Sequence, residues 1–234
     1  MKKFILTDET IEMFGVTLHR IKAVRSFGNV KEGDLGGFVE KEENISHDCE
    51  AWVYGSACVY GEACVFGSAC VYGEACVSGE ACVSGSACVS GSARVYGEAC
   101  VSGEARVYGE ACVSGSARVY GEACVYGSAR VFGSALGNAE VSGNAEVSGN
   151  AEVWGDAKVS CNADYIVFKN WWSSGRYFTW TRSNNMWSVG CFCGTGEELI
   201  KRAYADSEKS GREYERVVNF VQSILEDNNE SKNN

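Results

Sequence analysis

Proline is absent from this 234-residue chain, so its 28 glycines carry the punctuation that the two residues normally share. Histidine occurs twice, at His19 and His47. An acyl-transfer chemistry with imidazole as general base therefore has almost nothing to draw on. Positive charge is in deficit, with 21 Lys plus Arg against 31 Asp plus Glu and a formal net charge of −10. That balance argues against non-specific binding to nucleic acid or anionic membranes, which needs clustered Lys and Arg. No apolar run approaches the roughly 18 residues of a membrane span. The opening "MKKFILTDETIEMFG" meets charges where a signal peptide needs an unbroken apolar stretch, so a cytoplasmic location is expected. There the 13 cysteines are expected as reduced thiols and not as a disulfide framework. No glycine-rich phosphate loop precedes a helix.

The glycines instead mark a repeat. The pattern Ala-x-Val-x-Gly-x begins at "AWVYGS", residues 51–56, and runs unbroken through "ARVFGS", residues 129–134, for 14 hexads. "ALGN", residues 135–138, is two residues short, and four more hexads end at Asn162. Period six does not fit a helix, where each interior glycine costs about 1 kcal/mol. It fits a strand and a bend: Ala and Val two apart share a face, and Gly relieves the corner. Three bends close a triangular coil of 18 residues, and stacked coils pair their strands in parallel with Val and Ala inside. About six coils make a prism roughly 30 Å tall at parallel-strand spacing. A 12-residue rhythm, Arg-Tyr-Glu hexads alternating with Cys-Ser hexads over residues 93–122, offers a 12-residue coil as rival. It ranks second, because such coils rely on internal disulfides and these cysteines fall at the outward position.

The 18-residue coil sorts the outward residues into columns. After Ala, the first face reads Trp52, Cys70, Cys88, Arg106, Cys124; the second Cys58, Cys76, Arg94, Cys112, Arg130; the third Cys64, Cys82, Cys100, Arg118. A straight column of thiols does not converge tetrahedrally, so no metal is expected there. After Val, the first edge is the most aromatic, and its Tyr54, Tyr72, Tyr108 and Tyr126 are candidate binding residues. Residues 51–164 hold 12 acidic side chains against five basic ones, which reads as a solvated acidic surface.

The flanks differ from the repeat. In residues 1–50, "KFILTD" and "VTLHRIKAV" read as strands around a turn at "MFGV". "GDLGGFVE" has turn residues suited to a cap over the open end of the stack. After the repeat, residues 165–225 read as a small α+β domain. Its strands are "DYIVFK", "RYFTWTR" and "MWSVGCF". A capping box at Thr195 and Glu198 opens a helix, and Tyr214, Val217, Val218, Val221, Ile224 and Leu225 stripe a second. Residues 226–234 read as a disordered tail. Trp171, Trp172 and Arg176 fall in a turn and are candidate contact residues.

"RIKAVRSFGNVKEGDLGGFVEKEENIS" followed by "AWVYGSACVYG" resembles the YdcK-type hexapeptide-repeat proteins of bacteria and phages. "VGCFCGTGEEL" before two helices resembles the C-terminal end common in phage-encoded relatives. The resemblance implies a left-handed parallel β-helix, related in fold to hexapeptide acyltransferases, in a phage or prophage setting within a bacterial host cell. It transfers little chemistry. The expectation is a mainly β, single-stranded left-handed parallel β-helix between an N-terminal β cap and the α+β domain. Its expected role is non-enzymatic, without cofactor: an accessory protein that self-associates as a dimer or trimer. It would bind a host protein or small molecule, with counter-defence by sequestration as one form of that role. The alternative is an acetyl- or acyltransferase-like enzyme, for which His47 is the one available base.

Overall fold

A computed structural model of the chain describes residues 2–149 and 151–230. The repeat forms a parallel β-solenoid of about seven turns. Each hexad supplies a two-residue strand, the outward residue and its Val, as in Cys88–Val89. Cys88 pairs with Cys70 on one side and Arg106 on the other, so neighbouring rungs lie 18 residues apart and the 12-residue coil is ruled out. Three ladders form the walls. The first runs from Trp52 to Lys158, the second from Cys58 to Glu146 and the third from Cys64 to Glu152. The repeat's alanines and valines, from Ala51 to Val159, are buried and make one continuous core. At a regular corner only glycine serves: Gly67 has φ +71°, and a Cβ there would lie 2.8 Å from the Gly85 carbonyl oxygen one coil away.

The solenoid starts earlier than residue 51. Strand β1 (Phe4–Met13) pairs antiparallel with β2 (Val16–Ala23), and β2 with β3 (Leu35–Val39). β3 then pairs in parallel with the first coil, Phe38 to Cys58, and Ile45 bridges to Val65. These residues add a rung beneath the second and third faces. "GDLGGFVE" is thus a strand and not the turn its glycines suggested. Gly36 and Gly37 serve close approach: a Cβ would lie 2.5 Å from Ile21 Cγ1 on the first and 2.4 Å from the Ala57 carbonyl oxygen on the second.

The short segment also resolves differently from its spelling. Arg118 pairs with Ser134 and Val119 with Ala135, so Ala135 occupies a Val position and Gly133 the inward Ala position. A Cβ on Gly133 would lie 2.5 Å from the Ala151 carbonyl oxygen. The two missing residues are therefore the corner of the hexad that begins at Ala129, not part of "ALGN". Phe132 and Gly133 both donate to the Val147 carbonyl, at 2.7 and 3.0 Å, across the excised corner. Gly115, whose neighbour that corner would have been, faces open space.

The C-terminal region is a four-stranded antiparallel sheet, Tyr165–Lys169, Tyr177–Thr181, Met186–Val189 and Phe192–Gly194, covered by two helices. "MWSVGCF" is two strands, because Gly190 at φ +58° turns the chain back. Helix α1 (Gly196–Asp206) begins at the expected capping box, where the Glu198 N–H donates to Thr195 Oγ1 at 3.3 Å and the Thr195 N–H to Glu198 Oε2 at 2.9 Å. Helix α2 (Glu208–Glu230) packs Val218, Val221 and Tyr214 against Phe178 and Trp187. It runs past residue 225, where the sequence pattern ended the domain; residues 231–234 of the expected tail lie outside the described residues. No helix among the described residues is long and apolar enough to cross a membrane.

Candidate functional site

The tyrosine edge of the first face divides into two parts. Tyr54 is half-buried against the core and Tyr72 is exposed. Ser90, buried, separates them from Tyr108 and Tyr126, whose rings stack at 5.0 Å and 5°. The Tyr126 hydroxyl donates to Glu140, which also meets Lys158 at 3.3 Å. The upper pair is thus tied into the ladder. Two thiols of the columns are chemically quiet. Burial pushes Cys58 up to about 11; burial, with the neighbouring Cys64 and Cys100, pushes Cys82 up to about 12. Both thiols stay protonated at neutral pH and so are poor nucleophiles and ligands. All 13 cysteines are free, and no cluster of three or more potential metal ligands occurs among the described residues.

The other sequence candidates disperse. Trp171 is 79% exposed, whereas Trp172 packs into the C-terminal core, 5.6 Å from the Tyr214 ring and 6.1 Å from Phe178. Arg176 lines a separate hollow of about 250 Å³ with Arg202, Asp206 and Tyr214. His47 sits in the N-terminal lid, its ring 4.4 Å from that of Phe4. Its Nδ1 accepts the Lys3 backbone N–H at 3.2 Å, which assigns the proton to Nε2, 3.5 Å from Glu42 Oε2. With Nδ1 accepting that bond and Nε2 left without a hydrogen-bond partner among the described residues, the ring is held in the lid with its one lone pair already used.

A cavity on the solenoid involves residues that sequence reasoning placed in a column without singling out. Arg94, Arg106, Arg118 and Arg130 recur every 12 residues on a coil that closes every 18, so two of them share a column after 36. Arg94 and Arg130 are that pair, two rungs apart on the second face with Cys112 between them. At parallel-strand spacing this puts their backbones about 10 Å apart. None of the four arginines has a carboxylate within ion-pair distance among the described residues. The corner acids are engaged by serines one coil away: Ser92 donates to Glu74 at 3.5 Å, Ser116 to Glu98 at 3.3 Å and Ser128 to Glu110 at 3.4 Å.

Between the two arginines lies an open slot of about 670 Å³, bounded also by Tyr96, Phe132, Cys112 and Glu110. Large residues on the outer rungs and the smaller Cys112 on the middle rung border it, whereas Ser114 is buried and lies outside its lining. The rim rings are 41% exposed at Tyr96 and 37% at Phe132. The Cys112 thiol donates to the Tyr96 hydroxyl at 3.5 Å, which holds that ring over the middle rung. The sequence signal for this slot is "ARVYG" at residue 93 and "ARVFG" at residue 129, one aromatic two residues after each arginine. On the first face the equivalent space beside Arg106 is taken up by the Tyr108–Tyr126 stack. No protein-family model matches the chain, and no curated protein matches it.

Proposed function

We propose that the chain is a non-enzymatic binding scaffold, a left-handed hexapeptide-repeat β-helix that captures a small molecule on its outer surface. The observation that carries this reading is the pair of ion-pair-free arginines, Arg94 and Arg130, whose backbones are held two rungs apart beside exposed rings on an otherwise acidic rod. Burial and ladder hydrogen bonds fix the backbone beneath them, so a ligand has only the side chains left to order. Arg also supplies donors in a fixed planar fork that suits specific recognition. The end domains serve as lids that complete the solenoid. In the phage setting that the flanking sequences suggest, capture of a host small molecule would act by sequestration, as a counter-defence device.

Equilibrating the full-length protein with a bacterial metabolite extract, followed by native mass spectrometry, tests the reading. Retained compounds should be lost when all four solenoid arginines are changed to Ser. Retention that is unchanged in that variant, or absent in the unaltered chain, would overturn it.

A further inference from the structure

We infer that the slot between Arg94 and Arg130 binds a small oxyanion, a phosphate monoester or carboxylate, carried on a flat aromatic body. This rests on the reading of the solenoid surface as a small-molecule binder and adds the ligand's chemistry.

Three observations converge on that class. First, neither arginine is ion-paired among the described residues, and two positive charges stand against the one carboxylate, Glu110, that lines the slot. A guanidinium presents up to five N–H donors and matches a carboxylate or phosphate edge with two parallel bonds. Here two such groups face one cavity, and the nearest corner acids have their oxygens engaged by Ser92 and Ser128. Secondly, the walls are aromatic. Tyr96 and Phe132 follow the two arginines on the same face and leave part of their surface exposed in a slot that Cys112 also lines. A bare inorganic anion would leave those rings in water, whereas a planar body would cover them. Thirdly, among the described residues of the solenoid the geometry is available only here. Arg106 and Arg118 stand alone in their columns, flanked by Cys88 and Cys124 and by Cys100 and Ser134. Two arginines therefore act together at one place on the rod.

Glu110 also lines the slot and sets its selectivity. Its charge lowers the site's net to roughly one positive charge and so weakens the attraction for a doubly charged oxyanion more than for a singly charged one. The site is partly open, so salt competes for it and affinity falls with ionic strength.

Isothermal titration of the full chain at low salt with phenyl phosphate, benzoate, inorganic phosphate and benzyl alcohol tests the inference. Phenyl phosphate or benzoate should bind at one site per chain, and inorganic phosphate and benzyl alcohol at least about tenfold more weakly, the loss expected when one good contact is removed. Arg94→Ser and Arg130→Ser should each weaken binding about tenfold; Ser134 already occupies that outward position on the third face, so the fold accommodates serine there. Arg106→Ser should leave affinity unchanged. Glu110→Gln should tighten phenyl phosphate more than benzoate. If only one aromatic anion binds, that arm identifies the oxyanion. Equal losses in the Arg106→Ser and Arg94→Ser variants, or no binding by either aromatic anion, would overturn the inference. In the latter case, arginine-dependent retention from the metabolite extract would still uphold the scaffold reading and dismiss only this ligand class.

Discussion

The two ends of the solenoid are closed by lids of opposite hydrogen-bonding character. Every rung donates its N–H groups toward the next coil, as Cys58 does to Ala75 at 2.9 Å. The first coil therefore presents bare carbonyls and the last coil bare N–H groups, and each end needs the complementary partner. At the N-terminal end the lid supplies donors. The Asn44 amide donates to the Gly61 and Ala63 carbonyls at 3.0 and 2.8 Å, and Lys3 Nζ to those of Cys49 and Ala51 at 2.8 and 2.6 Å. At the C-terminal end the lid supplies acceptors. The N–H of Glu146 donates to Asn162 Oδ1 at 2.8 Å, that of Glu152 to Thr179 Oγ1 at 2.9 Å, and that of Lys158 to Ser183 Oγ at 2.6 Å. The contrast teaches that the polarity of a parallel stack dictates lid chemistry, and that the two lids cannot be exchanged.

The largest expected break in this symmetry is Asn44→Ala. It orphans two carbonyls at a buried site, together with the Lys41 N–H that now donates to Asn44 Oδ1 at 3.0 Å. We expect a loss of about 3 kcal/mol in urea denaturation, with faster amide exchange confined to the N-terminal coils. Exchange rising equally at both ends would mean that the lids are not independent. Next comes an alkaline pH dependence at the N-terminal end. Burial holds Lys3 down to about 8 from an ordinary 10.5, so between those values the unfolded chain binds the proton that the folded chain has shed. Stability supplied by Lys3 therefore rises with pH across that interval, and the deficit of Lys3→Met against the unaltered chain should widen by roughly 2 kcal/mol between pH 7 and 10. A constant deficit would show that the ammonium is not desolvated.

The C-terminal lid responds in acid instead. Burial raises the Asp164 carboxyl, but the N–H groups of Ser160 and Cys161 outweigh it and hold the group below the ordinary carboxylate range. Its contribution is present above that range and is lost as pH falls through the lowered value, which amide exchange at the last coil would register. Smaller again is Thr179→Val, which leaves one N–H without an acceptor at a buried site and should cost about 1–2 kcal/mol in urea denaturation. Ser183→Ala removes an acceptor that is exposed, so water replaces it and the midpoint should move by less than about 0.5 kcal/mol. Equal effects at Thr179 and Ser183 would mean that exposure does not grade the lid.

Much of the molecule was legible in the amino-acid order, for a local reason. Ala and Val two residues apart must share a face of an extended chain, and a glycine every sixth residue must mark a corner. That spacing determined the inward core from Ala51 to Val159, whereas the membership of the outward columns, and hence the coincidence of Arg94 with Arg130, was decided when pairing 18 residues apart displaced the 12-residue coil. It left other features open, because they depend on groups far apart in sequence. Gly133 reads as a corner glycine and becomes an inward residue only because Ala135 must align with Val119. Gly36 and Gly37 read as a turn and become a strand because the first coil lies against them. Trp172 reads like Trp171 and is drawn inward because Tyr214 and Phe178 meet it there. Whether an arginine is paired, a ring covered or a carbonyl satisfied depends on what the neighbouring coil or lid brings within reach. Hydrogen bonds and ion pairs are settled in space, so the tertiary structure decided the slot and the chemistry of both lids.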